Sequence, residues 1–291
     1  MEAISTDFPL TKEQIDHYNK HGYVFVRNFF SKEELEPLKL ACEDDPELRD
    51  SRTLVDYGGS GFKLSVWTEL GNSLLGVLPR MARIVDASEA LEGEKCYHWH
   101  SKIVLKRQGE GEVRWHQGFG TWYEDTCLYP KMVSCCIAVN ENTRENGCLQ
   151  IAKDSHHLGR LDNVMIGNSC ATDPKRLEIV HERLEHIQCE MQQGDVVFFH
   201  ANTLHGSDVN TTDSLRTLLF CTYNVVSNEP YNLENQQHHR YRPLNKLPDS
   251  VLLEKQYEGV FETQQFHEKE TDNSPGTGVG IRHGRTTKAT V

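Results

Sequence analysis

The sequence lacks an excess of positive charge. Lys and Arg total 31 against 43 Asp and Glu, a formal charge of −12. Nucleic acid and anionic membrane surfaces are therefore poor partners for the chain as a whole. It also lacks any C-x-x-C pair, and its nine cysteines are odd in number. They read as reduced thiols rather than a disulfide framework. Adjacent Cys135 and Cys136 are expected in a strand, pointing to opposite faces. No apolar run is long enough to span a bilayer. The start, MEAISTDFPLTKEQ, has neither a basic nor an apolar segment. No secretory signal is expected, and a cytoplasmic location is. Internal repeats are absent. What is present is 291 residues, 37% of them hydrophobic, enough for one domain with a real core.

Local signals divide the chain. Thr11 with Gln14 forms a capping-box pattern, and Gly22 ends the short helix that follows. Tyr23-Val24-Phe25-Val26 reads as a buried strand. Ser31 with Glu34 is a second capping box, opening a helix with Leu35, Leu38 and Leu40. Residues 51–64 are rich in glycine and read as a loop, and 66–86 as helical. After residue 95 short β-type runs appear at 102–106, 132–139, 148–151, 196–199 and 217–224. Glu145-Asn146-Gly147 predicts a hairpin turn, and Gln193-Gly194-Asp195 another turn. Residues 171–190 read as a charged helical insertion, with 182–190 as its solvated face. Many short strands and few helices predict a mainly β fold, a sandwich or jelly roll with helices outside. The expected domain is 1–270, with a disordered Gly/Ser/Thr-rich tail at 271–291.

Two segments stand out chemically. One is Arg114-Trp115-His116-Gln117-Gly118-Phe119-Gly120-Thr121-Trp122-Tyr123. The other is Phe198-Phe199-His200-Ala201-Asn202-Thr203-Leu204-His205-Gly206-Ser207, with Arg216 beyond it. A lone histidine is more often structural than a ligand. Together these residues meet a specific need: redox iron that binds a chelating co-substrate and oxygen wants few protein ligands. One arginine can hold the far carboxylate of a dicarboxylic acid through its fork. Zinc fits poorly, because no third His or Cys has ligand spacing beside His116. His98 and His100 alternate and so share a face, with His98 read as structural. His156-His157 after Ser155 read as a loop cap, and His238-His239 with 241–243 as packing in a C-terminal loop.

With these motifs go His98-Trp99-His100-Ser101-Lys102, Glu145-Asn146-Gly147-Cys148-Leu149-Gln150, Ser155-His156, His205-Gly206-Ser207-Asp208 and Cys221-Thr222-Tyr223-Asn224. Taken in order over residues 11–250, the chain resembles the phytanoyl-CoA dioxygenase family. Within it, the ectoine hydroxylase and L-proline trans-4-hydroxylase-like subgroup is nearest. The resemblance implies a double-stranded β-helix (a cupin-like jelly roll) and an oxygenase dependent on iron(II), 2-oxoglutarate and oxygen. It implies iron on His116 and His205 and the 2-oxoglutarate side-chain carboxylate on Arg216. It places His100 and Lys102 toward the co-substrate, and Trp122, Tyr123, Cys148 and Gln150 toward the substrate. That substrate would be a small amino or imino acid. A coenzyme A thioester fits an acidic chain less well.

One position departs from the family. Relatives read His-Gln-Asp where this chain has His116-Gln117-Gly118, so the carboxylate ligand is missing. The family's halogenases carry Gly or Ala there, and chloride takes the acid's place. Gly118 therefore implies chlorination of the substrate carbon, with chloride as a further cofactor. The alternatives are a hydroxylase in which Gly118 is a substituted position, substitution by Asp125 or Glu124, and a non-catalytic protein that binds 2-oxoglutarate. In a hydroxylase scaffold, Gly118→Asp is expected to recover hydroxylation.

Overall fold

The computed structural model describes residues 10–44, 52–55, 61–166, 169–234, 239–261, 264 and 266. The expected tail at 271–291 and His238 lie outside them. The elements are α1 (Lys12–His21), β1 (Tyr23–Val26), α2 (Lys32–Asp44), β2 (Arg52–Val55), β3 (Gly61–Trp67), α3 (Leu74–Val77), α4 (Ala82–Glu92), β4 (Cys96–Lys106) and β5 (Val113–His116). There follow α5 (Gly118–Trp122), β6 (Met132–Ala138), β7 (Leu149–Ala152), β8 (Asn163–Ile166), β9 (Ser169–Thr172), α6 (Pro174–Arg183), β10 (His186–Cys189), β11 (Val196–His200), β12 (His205–Ser207) and β13 (Arg216–Val225).

A seven-stranded sheet, ordered β1-β11-β6-β13-β4-β3-β2, faces a four-stranded sheet, ordered β10-β7-β12-β5; β8 and β9 form a separate pair. Every pairing between these strands is antiparallel. This is the expected jelly roll with helices outside. Alternation divides the core. One face of the large sheet sends Cys135, Ile137, Leu219, Ile103 and Leu105 against Leu35, Leu38, Ile84 and Val85 of the helices. The other sends Cys136, Val104, Leu218 and Phe220 against Leu149 and Ile151 of the small sheet. Cys135 and Cys136 thus point apart, as expected. Cys96, Cys127, Cys135, Cys136, Cys148, Cys189 and Cys221 are buried and form no disulfide.

The local signals hold where the structure is local. Thr11 and Gln14 close a capping box, and Gly22 ends α1 at φ 78°. Ser31 and Glu34 exchange the same two bonds at the start of α2. Four expectations are corrected. The segment 51–64 contains β2 and much of β3, because Leu64 pairs with Val104 and the alternating Phe62, Leu64 and Val66 enter the sandwich core. Helix in 66–86 begins only at Leu74, because β3 runs through Trp67. Within 171–190 the helix ends at Arg183, and β10 follows, paired to β7. The turn at 145–147 exists, with Gly147 at φ 75°. It is not a hairpin, since β6 and β7 belong to different sheets. Instead the Asn146 side chain ties the loop, accepting from the Thr143 N–H and donating to the Glu141 carbonyl.

No helix among the described residues is long and apolar enough to cross a membrane.

Candidate functional site

The sequence brings His116 and His205 together by strand pairing. His116 ends β5, His205 begins β12, and they are direct partners across the ladder. Residues directly opposite in an antiparallel pair share a face, and the ring centroids lie 4.2 Å apart. Each Nδ1 is fixed the same way, against the carbonyl two residues earlier: Arg114 O at 2.7 Å and Thr203 O at 2.9 Å. A carbonyl only accepts, so each Nδ1 must donate. In the neutral ring the lone pair is then left on Nε2, the arrangement metal-binding histidines adopt. Burial keeps the rings neutral. It lowers His116 to about 4, helped by the charge of Lys102. His205 is held well below its ordinary value by burial, by His116 and by Lys102. Two neutral, buried, oriented imidazoles are a donor set that fits iron.

Among the described residues no acidic or thiol group completes this pair. Among the described residues no group of three or more His, Cys, Asp or Glu side chains could hold a metal ion, so Asp125 and Glu124 do not replace the missing acid. Gly118 opens α5. Its backbone does not require glycine, since its φ is not positive. Space does: a Cβ there would lie 2.5 Å from Cη2 of Trp122, with Cζ3 and Cζ2 at 2.8 and 2.9 Å. The intervening Gln117 is structural. Its amide donates to the Gly159 and Asn202 carbonyls and accepts from Leu161 N–H.

The large sheet's inner face supplies cations. Arg216 and Lys106 are partners across β13 and β4, and both are fully enclosed. Lys106 Nζ donates to Ser207 Oγ at 2.8 Å, to Ser207 O at 3.3 Å and to Asp208 O at 2.6 Å. Arg216 Nη2 donates to the same Oγ at 3.2 Å. Among the described residues Arg216 forms no ion pair, and its buried Nε has no hydrogen-bond partner. Burial lowers Arg216 to about 10. A hydroxyl has two lone pairs and one proton. With two donors on Ser207 Oγ, its own proton is left to donate. The assembly offers donors and positive charge, which suits an anion. Lys102 lies four residues from Lys106 on the same face, opposite Phe220, its amine 5.1 Å from the Phe220 ring centroid and lowered by burial to about 8. Phe199 packs against His205 at 4.8 Å.

The remaining expected residues divide. Trp122 is buried, its ring 5.8 Å edge-on to His100. Tyr123 is 43% exposed, with the Arg160 guanidinium 4.7 Å over its ring. Cys148 is close enough to Arg216 to feel its charge, though burial pushes the thiol up to about 11. Gln150 lies opposite Gly206, out of phase with Ile151 and His205, and its amide donates to Asp208. Alternation therefore turns it away from the histidines. His98 and His100 do not share a face. A bulge lets one step on β13, Thr222 to Tyr223, match two on β4. His98 then meets Ser101 and Tyr223 on the helix side. His156 and His157 bond the Asn19 and Lys20 carbonyls, and His239 stacks on Trp99 at 3.7 Å, all as packing residues.

Lys106 and the role of Ser207 were missed from the sequence. The signal is the even spacing of His100, Lys102 and Lys106, the last two flanking the apolar run Ile103–Leu105.

The chain is 29% identical to the ectoine dioxygenase of Stutzerimonas stutzeri, over 84% of this chain and 89% of that one. It is 24% identical to the L-proline trans-4-hydroxylase of Streptomyces griseoviridis, over 78% and 91%. Its fold matches that of EctD from S. alaskensis, solved with 2-oxoglutarate and 5-hydroxyectoine, at TM-score 0.68 and 23% identity, over 84% and 90% of the two chains. The sequence model of the phytanoyl-CoA dioxygenase (PhyH) family spans residues 18–218, and the chain belongs to that family.

Proposed function

We propose that the protein is an iron(II)- and 2-oxoglutarate-dependent oxygenase acting on an unactivated C–H bond of a small amino- or imino-acid-like substrate. The observation that carries this reading is the His116–His205 pair, with both Nδ1 atoms tied to carbonyls and both Nε2 atoms left as donors to a metal. Iron bound there supplies, with 2-oxoglutarate and oxygen, the oxidising power to remove a hydrogen atom from carbon. The chain's own residues do the rest. Arg216 and the hydroxyl proton of Ser207 receive the far carboxylate of the co-substrate. Lys106 holds Ser207 in place. Lys102 adds positive potential beside the histidines and favours anionic ligands there. Phe199 and Phe220 exclude water from the centre. The substrate class is supported by relatives named for ectoine and for proline.

For the fate of the substrate carbon, Gly118 favours chlorination. The acid is missing, and the cationic surroundings suit an external anion. The balanced reaction joins R–H, chloride, a proton, oxygen and 2-oxoglutarate to give R–Cl, water, succinate and carbon dioxide. Hydroxylation is the second reading, favoured by relatives named as dioxygenases and hydroxylases.

Iron(II)-loaded protein is incubated with 2-oxoglutarate, oxygen, chloride and a panel of amino and imino acids that includes L-proline and ectoine. Succinate is quantified and products are read by mass spectrometry. A product carrying chlorine supports chlorination, and one that gains only oxygen assigns hydroxylation. Binding of 2-oxoglutarate without succinate from any substrate would make the protein a binder and overturn the enzymatic reading.

A further inference from the structure

We infer that Ser155 is a positioning residue for His205, holding the peptide whose carbonyl orients the imidazole. His205 Nδ1 donates to the Thr203 carbonyl at 2.9 Å, and the N–H of that same peptide unit, on Leu204, donates to Ser155 Oγ at 2.8 Å. A peptide is planar, with its N–H and C=O held rigidly relative to each other. Whatever fixes the direction of the Leu204 N–H therefore fixes that of the Thr203 carbonyl. His116 is held differently. Its acceptor, Arg114 O, lies within β5, whereas Thr203 precedes β12, which begins at His205. Ser155, Thr203 and Leu204 are fully buried, so bulk water does not stand in for the hydroxyl.

Ser155 is itself anchored at the end of α1. After β7 the chain turns at Asp154, φ 66°, and the turn covers the last carbonyls of that helix. Asp154 N–H donates to His21 O, His156 Nε2 to Asn19 O and His157 Nε2 to Lys20 O, each at 3.2 Å. A helix C-terminus leaves these carbonyls without intrahelical partners. His21 also pairs with Asp154 at 2.6 Å. The same helix end reaches Thr203 directly. Gly22 O accepts from His200 N–H at 2.9 Å and from the Thr203 hydroxyl at 2.8 Å. The approach needs a glycine, since a Cβ at position 22 would lie 2.6 Å from His156 Nδ1 and 2.7 Å from Thr203 Oγ1. The end of α1 thus holds the Thr203–Leu204 peptide twice, through Ser155 and through the Thr203 side chain. Without the Ser155 hydroxyl a buried N–H is left unsatisfied, and the carbonyl is free to turn from His205.

The consequence for the metal rests on His205 being an iron ligand, so one readout is taken without metal. Long-range proton–nitrogen correlation spectra of the metal-free protein, labelled at histidine nitrogen, report which ring nitrogen carries the proton. His205→Ala and His116→Ala assign the two rings. In the parent both should be protonated at Nδ1. In Ser155→Ala the His205 ring should mix in the Nε2–H form, while His116 keeps its tautomer. Thr203→Val removes the other anchor and should shift His205 in the same direction. Ser155→Thr keeps the acceptor and should keep the tautomer. Ser73→Ala removes another fully buried serine, which caps the Gly76 N–H at the start of α3. It should leave both rings as in the parent, whatever it does to the Tm. Anaerobic titration with cobalt(II), a spectroscopic stand-in for iron(II), should show binding weakened on the order of tenfold in Ser155→Ala and unchanged in Ser73→Ala. A parental His205 tautomer in Ser155→Ala or in Thr203→Val would overturn the inference. So would equal weakening of cobalt binding in Ser73→Ala, which would make the effect one of general stability. If the parent and His205→Ala bind cobalt alike, the iron reading of His205 falls, and the tautomer spectra still decide whether Ser155 positions the ring.

Discussion

Lys106 and Arg216 face one another across β4 and β13, and both donate to the hydroxyl of Ser207. Two buried cations side by side repel, and burial together with Arg216 holds Lys106 well below its ordinary value. The arrangement is tolerable if an anion joins it. Arg216→Lys removes the fork while keeping a charge. It should raise the KM for 2-oxoglutarate on the order of tenfold to a hundredfold, since hydrogen bonds to charged groups contribute about 1.5–3 kcal/mol. Ser207→Ala should raise it on the order of tenfold, since its hydroxyl donates to a charged carboxylate. In both, kcat should fall less than KM rises. Steady-state succinate assays read the split, and an unchanged KM in Arg216→Lys would remove Arg216 from the co-substrate site.

Gly147 reaches this floor from the other side. It sits at φ 75°, and a Cβ there would be 2.4 Å from the carbonyl oxygen of Asp208. That oxygen accepts from Lys106 Nζ. Gly147→Ala is strained in its backbone and crowds a hydrogen-bonded carbonyl. It should cost about 1–3 kcal/mol of stability and weaken 2-oxoglutarate binding through Lys106 and Ser207. Urea unfolding and calorimetric titration with 2-oxoglutarate measure the two effects. Loss of stability without weaker binding would show that the turn and the site are not linked.

Glu34 does two jobs. One carboxylate oxygen accepts the Ser31 N–H at 2.7 Å, and the other accepts from Arg83. Arg83 also donates to the Phe29 carbonyl and lies 4.3 Å over Phe30. Glu34→Ala would leave a largely enclosed guanidinium with only the half-exposed Asp249, 3.8 Å from its Nε, as an anion and should destabilise by about 2 kcal/mol. Glu34→Gln keeps the cap and should lose less. Equal losses would show that the cap, not the ion pair, carries the contribution.

The sequence was most legible where partners are close in the chain. The two capping boxes, the Gly22 stop and the turn at Gly194 depend on neighbours within four residues, and each formed as expected. β3 was hidden because it pairs with β4, roughly forty residues away, and β2 because its place in the sheet depends on β3. The proposed iron ligands were legible as a motif rather than as geometry. Nothing in the spacing of His116 and His205 states that they pair directly across β5 and β12. The failure at His98 was one of phase, since a single bulge on β4 reverses which residues share a face. The contact between Gly118 and Trp122 was within local reach, at helical spacing, but a segment of five residues, two of them glycines, gave too little periodicity to place it on a helix.

Acid should destabilise the protein through histidines outside the metal pair. Burial holds His98 at about 3 and His200 at about 4. In the unfolded chain both titrate near ~6.5. Below that value the unfolded state takes up a proton at each site, and the folded state refuses it until the pH reaches the folded value. The stability these neutral rings contribute is complete above pH ~6.5 and is lost as the pH falls, by about 1.4 kcal/mol per unit for each histidine. The loss runs down to the folded values, near 4 for His200 and 3 for His98. Urea midpoints at pH ~7 and ~5 should therefore differ clearly. His98→Gln keeps a hydrogen-bonding group for Ser101 and removes one titration, so its midpoint should fall less over the same interval. A parental midpoint that does not move, or a His98→Gln variant that follows the parent slope, would show that these rings are protonated in the folded protein after all.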